Sequence, residues 1–167
     1  MEMNFRKAEL RDVPAVMEII RAAVHRMLDE GKCQWSEDYP TDEHIIADIL
    51  DGNAYVLEDC RRVVAYGAVV FTGEPAYDAT DGDWLSDGDY VVVHRLAVAQ
   101  DAQSKGVGRR FLSAVEHLAA SQGIGSFRID TNFDNERMLA LLDHCGFTFT
   151  GLIHYPQGER QAYEKLI

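Results

Sequence analysis

Along the opening of the chain, apolar residues return at three- and four-residue steps. Val13, Val16, Met17, Ile20, Val24, Met27 and Leu28 share one face of a predicted helix that stops near Gly31. Asp12, ahead of Val13 and Pro14, reads as its N-cap. Thr41, with Glu43 and His44, begins a second helix; Ile45, Ile46, Ile49 and Leu50 form its buried side, and Asp51-Gly52-Asn53 ends it. The period then shortens. Residues 4–7 read as a short first strand, and 54–58 with 62–72 as a hairpin around Cys60-Arg61. Residues 90–98 form an apolar strand, and 106–122 a helix whose inward face is Phe111, Leu112, Val115, Leu118 and Ala119. A strand at 127–131, a helix at 135–145 and strands at 147–154 and 161–166 complete the chain. Strands alternating with helices behind a hairpin predict an α/β sandwich on a mixed sheet. Residues 73–89, rich in acids and glycine with Tyr77 and Trp84 as the only large aromatics, read as a long loop: a solvated connection, or a flap beside a binding site.

Composition narrows the class. The 167 residues make one domain, 1–167, and 47% hydrophobic with 26% charged residues is ordinary for a folded globular chain. The longest apolar runs are too short to cross a bilayer, and Met1-Glu2-Met3-Asn4 lacks a basic stretch followed by an apolar one, so a cytoplasmic protein is expected. Cys33, Cys60 and Cys145 are odd in number and far apart, which suits neither a disulfide framework nor a zinc site. The six histidines show no His-x-x-x-His pair, and the acids of 73–89 miss the calcium-loop pattern, so no metal is expected. A net charge of -12 argues against a nucleic-acid partner and favours a cationic one, such as a free amine.

Against that acidic background, Lys105, Arg109 and Arg110 gather three cations in six residues. They flank Gly106 and Gly108, where the strand Leu96-Ala97-Val98 leads into the 106–122 helix. The first amides of a helix lack intrahelical partners and point along the positive end of its dipole, and glycines let an anion approach them closely. A plain tight turn is the alternative. The stretch is not a Walker A loop, and it lacks the third glycine and downstream acid of a dinucleotide fingerprint.

Gln103-x-x-Gly106-x-Gly108 resembles the acetyl-CoA signature of the GNAT superfamily of N-acetyltransferases, and the segment from Asn135 to Gly146-Phe147 resembles that family's later Asn-helix-Gly-Phe element. The likeness is close over residues 90–150 and elsewhere rests on the order of elements. It implies a mixed, mostly antiparallel central sheet with helices on both faces and two splayed parallel strands. By the same resemblance Leu96, Ala97 and Val98 would pair with the cofactor arm. Gln103, Ser104, Lys105, Gly106, Val107 and Gly108 would hold its pyrophosphate, and Arg109 would help to neutralise it. Asn135 would touch the arm, or else simply cap a helix.

The implied reaction is direct acetyl transfer from acetyl-CoA to a primary amine within a ternary complex. An alkylamine is mostly protonated at neutral pH, so a base or a water path must take its proton. Asp130 is the first candidate, at a position where some members carry a catalytic glutamate; a structural acid bonded to neighbouring amides or to Arg128 is the other account. His94, which interrupts the apolar run of its strand, is the second; a core histidine satisfied by backbone is its alternative. Backbone N–H groups around Leu96 to Val98 would polarise the thioester carbonyl. Many members carry a tyrosine seven residues after the helix asparagine, where this chain has Leu142, leaving Tyr155, His154 or water as proton source. Gln34, Trp35, Tyr39 and Pro40, with Trp84 and the acidic loop, would shape an acceptor pocket; core packing or a homodimer contact explains them equally. A non-catalytic acetyl-CoA sensor and a nucleotide-binding domain unrelated to CoA are the competing functions.

Overall fold

The structure, a computed structural model, describes residues 2–167. The chain forms two compact units, Met1–Val69 with His94–Leu112, and Val70–Val93 with Ser113–Ile167.

In the first unit β1 (Met3–Lys7) pairs antiparallel with β2 (Ala54–Asp59), from Met3 opposite Asp59 to Lys7 opposite Tyr55. β2 pairs antiparallel with β3 (Arg62–Val70), with a register shift at Leu57/Glu58. The neighbour of β3 is β5 (Val91–Val98). Helix α1 spans Val13–Asp29, and Val16, Met17, Ile20, Ala23 and Val24 are buried along it as the period predicts, although Leu28 is exposed. Asp12 stands at its N-cap, but the carboxylate is turned to Arg6 and to the Glu9 amide. Helix α2 spans Asp42–Leu50 and opens with the Thr41 N–H donating to His44 Nδ1. Its predicted inward face is partly corrected: Ile45 is fully buried, but Leu50 is 73% exposed and Asp48 is buried instead.

In the second unit the strand order is β5, β6 (Ser126–Thr131), β8 (Gly158–Leu166), β7 (Thr148–Tyr155), β4 (Asp81–Gly82). Every pairing there is antiparallel except β5 with β6, so the sheet is mixed and mostly antiparallel. Helix α3 is Val107–Ser121 and α4 is Glu136–His144. Tyr77, Val92, Ile153 and Ala162 form a buried cluster, flanked by Trp84, Tyr90 and Tyr155.

The segment 73–89 is not the unstructured loop expected from its composition. Pro75–Ala79 is a short 3₁₀ helix with Tyr77 1% exposed, and Asp81–Gly82 pairs with Leu152 and Gly151. That pairing needs glycine on both strands, since a Cβ on Gly82 would stand 2.2 Å from the Thr150 carbonyl oxygen and one on Gly151 2.3 Å from that of Asp81. Glu164, itself 0% exposed, accepts from the Leu85 amide (2.5 Å) and the Ser86 hydroxyl (2.6 Å) and pins the rest of the segment.

Candidate functional site

Between β5 and α3 the first unit builds the glycine turn. Gly106 has φ 75°, the left-handed region, and a Cβ there would meet nothing within 4 Å. The first bond of α3 runs from the Arg110 N–H to the Gly106 carbonyl at 3.0 Å, so the amides of Val107, Gly108 and Arg109 precede any helical partner. Gln103 donates its side-chain amide to the Val98 carbonyl at 3.5 Å, tying the turn back to β5. Ser104, Lys105, Arg109 and Arg110 are exposed. Open amides, an open face at glycine and exposed cations together fit an anion such as a pyrophosphate.

Upstream, β5 departs from a regular strand. Its parallel ladder with β6 pairs Val91 with Phe127 and Val92 with Arg128 and, among the described residues, goes no further. Arg95 then takes φ 56°, a left-handed value that costs a non-glycine residue about 1–2 kcal/mol. A residue so placed inside a strand acts as a bulge, breaks the pleat and re-aims the three residues after it, Leu96, Ala97 and Val98. The strain is held by a part-buried ion pair. Arg95 donates from Nε and Nη2 to the two Asp48 oxygens at 2.8 and 2.5 Å, and from Nη1 to the Tyr39 hydroxyl at 3.0 Å. Tyr66, 0% exposed, donates its hydroxyl to Asp48 Oδ2 at 2.5 Å. Burial works against the Arg95 charge, but Asp48 outweighs it and holds the guanidinium above its ordinary value. Sequence reasoning missed Asp48, because an acid in an amphipathic helix reads as a solvated position until its distant partner is known. His94, one residue before the bulge, is half-buried.

The second unit places Asp130 on β6. Its partner is not Arg128, one of the two accounts its sequence position allows. Arg128 pairs with Glu164 at 3.1 Å, donates to the Ser86 carbonyl and lies 4.3 and 4.1 Å from the ring centres of Trp84 and Tyr90. Asp130 Oδ2 instead accepts from the Tyr77 hydroxyl at 2.6 Å and the Tyr155 hydroxyl at 3.1 Å. The Tyr155 hydroxyl also lies 3.2 Å from Glu74 Oε1. Burial, and after it the Asp130 charge, pushes both phenols well above their ordinary range; for Tyr155 Glu74 adds to the effect. Both therefore stay protonated and act as donors. Among the described residues Cys33, Cys60 and Cys145 form no disulfide, and no group of His, Cys, Asp and Glu is arranged to hold a metal ion.

The family model described as the acetyltransferase (GNAT) family matches residues 19–147. This protein belongs to the GNAT family. A GNAT-family acetyltransferase structure from Streptococcus agalactiae 2603 is similar at 32% identity and TM-score 0.90, covering 99% of this chain and 95% of that one. A GNAT-family acetyltransferase from Listeria monocytogenes shares the fold at 19% identity and TM-score 0.77, over 100% and 96% of the two chains. So does a ribosomal-protein-alanine N-acetyltransferase from Brucella melitensis, at 20% identity and TM-score 0.71, over 98% and 99%. No curated protein sequence matches significantly.

For Asn135 and the aromatic stretch 34–40 the contacts in this GNAT chain belong to one of the alternative accounts that the sequence allows. Asn135 caps α4, its Oδ1 accepting from the Met138 amide at 3.3 Å. Trp35 and Pro40 are buried, and Tyr39 is engaged by Arg95, so of those aromatics only part is left as surface. The same stretch does border a cavity of about 460 Å³, lined by Met17, Ile20, Arg21, Val24, Pro40 and Asp42 among others. Leu142, where the resemblance leads to the expectation of a tyrosine, is 0% exposed and has no proton to give. No described helix is long and apolar enough to cross a membrane.

Proposed function

We propose that this protein is a cytoplasmic N-acetyltransferase, one domain over residues 1–167, that passes the acetyl group of acetyl-CoA to a primary amine by direct transfer in a ternary complex. The observation that carries the reading is an open, cation-flanked helix start at Gly106 in a chain of the GNAT family. When bound, acetyl-CoA supplies an activated acetyl group as a thioester. Gln103, Ser104, Lys105, Gly106, Val107 and Gly108 would hold its pyrophosphate, with Arg109 adding charge. Leu96, Ala97 and Val98 would pair with its arm as a neighbouring strand would, and their amides would orient the carbonyl. Asn135, its oxygen committed to the helix, would reach the arm through its amide nitrogen.

Asp130 is the base in this reading. Its hydrogen bonds among the described residues all fall on Oδ2, which leaves Oδ1 to receive a proton from an ammonium. His94 is the second choice. Tyr155 holds its proton tightly between two carboxylates and is a poor acid there, and His154 is exposed with Glu159 3.5 Å away, so solvent is the proton source for the departing thiolate. The acceptor is an amine, with no metal and no nucleic acid involved. Leu142 supports a second reading, a sensor that binds acetyl-CoA without turning it over.

Binding of acetyl-CoA and thiol release across an amine panel, for the wild type and Gly108→Trp, separate these readings. Thiol release with particular amines, lost in the variant, establishes the transferase. Saturable binding without release on any amine favours the sensor, and absence of binding removes both.

A further inference from the structure

The geometry points to Asp48 as a positioning residue for the cofactor strand: by holding Arg95, it keeps the left-handed kink from which Leu96, Ala97 and Val98 take their direction. This rests on the reading of those three residues as the strand that pairs with the acetyl-CoA arm.

Arg95 sits at φ 56° inside β5, where a side chain is disfavoured and glycine would be at ease. A strained conformation persists only where its surroundings over-determine it. Here the surroundings are specific. Both oxygens of Asp48 receive the guanidinium, the Tyr66 hydroxyl fixes the carboxylate from behind, and the Tyr39 hydroxyl takes the remaining arm of the guanidinium. The side chains of Arg95 and Asp48 are 18% and 10% exposed, so little water is at hand to replace either partner. Asp48 lies on α2 and touches no part of the glycine turn in any described hydrogen bond; its route to the cofactor is through the backbone of residue 95. Tyr39, next to Pro40 of the 460 Å³ cavity, joins the same clamp, so the kink and the α1–α2 connection meet at one guanidinium that Asp48 holds.

The test compares Asp48→Asn, Asp48→Asn/Arg95→Gly and Gly108→Trp by calorimetric titration of acetyl-CoA, well below each variant's unfolding midpoint, with KM and kcat for acetyl-CoA alongside. Asp48→Asn is expected to weaken binding about 10-fold or more and to raise KM more than it lowers kcat, because a misdirected strand costs binding geometry. The double variant is expected to recover most of that loss, to within about 3-fold of the wild type, because glycine keeps the kink without a clamp. If Gly108→Trp abolishes binding while Asp48→Asn binds as the wild type does, the positioning role is overturned and the cofactor reading stands. If Gly108→Trp binds normally, the cofactor reading itself fails. Should Asp48→Asn not fold, the double variant decides: folded and binding, it supports the kink as what matters; folded without binding, it refutes it.

Discussion

Each unit carries a carboxylate bonded by tyrosine, buried in the case of Asp48 and half-buried in that of Asp130, and the two differ in what else is present. Asp48 receives Tyr66 and a guanidinium, so its charge is cancelled and both oxygens are spoken for. Asp130 receives Tyr77 and Tyr155, both neutral, on one oxygen; among the described residues it has no ion pair. A carboxylate locked to arginine is a fixture, with nothing left to bind or to accept. A carboxylate oriented by phenols, with a free oxygen and no countercharge, is suited to meet a cation or to take a proton.

The sharpest way to break this contrast is to remove each acid. Asp48→Ala strands Arg95 and is expected to cost about 3 kcal/mol or more, read as a lowered urea midpoint. Asp130→Asn keeps acceptors for both phenols and is expected to leave that midpoint nearly unchanged while kcat drops about 100-fold. If kcat holds, Asp130 is a fixture like Asp48, and His94 becomes the base to examine. Next in size, Tyr77→Phe removes a donor to a charged group in a buried setting and should lower stability by about 1.5 kcal/mol in urea titration. The smallest effect concerns pH. Tyr66, Tyr77 and Tyr155 all titrate higher folded than unfolded, chiefly through burial. Their contribution is complete below the unfolded value of about 10 and fades above it, where the unfolded phenols ionise and the folded ones do not. Urea midpoints measured from about pH 9 to 11 should therefore fall, and fall less in Tyr77→Phe, which lacks one such proton.

What the sequence made legible was what depends on neighbours along the chain. The faces of α1 and α3, the strand edges and the glycine turn all come from short-range spacing, and they lie within a few residues of expectation. What it concealed depends on partners far away. Asp48 is buried because Arg95, 47 positions on, supplies a charge, and Leu50 is correspondingly turned outward. Segment 73–89 reads as solvated because its own composition is acidic, whereas its order comes from Glu164, 78 and 79 positions downstream. Asp130 is a candidate by family position alone, and its bond to Tyr77 is not legible, since Tyr77 lies in that segment.

Glu164 sets a timescale as well as a shape. It collects the Leu85 amide, the hydroxyls of Ser86 and Ser126 and the Arg128 side chain, and these hydrogen bonds hold it below the ordinary carboxylate range despite its burial. Freeing Leu85 alone would strip a donor from a carboxylate that water cannot reach. The Leu85 amide should therefore exchange its hydrogen only when β6 and β8 open together, on the slow clock of the sheet rather than the fast one of a surface connection.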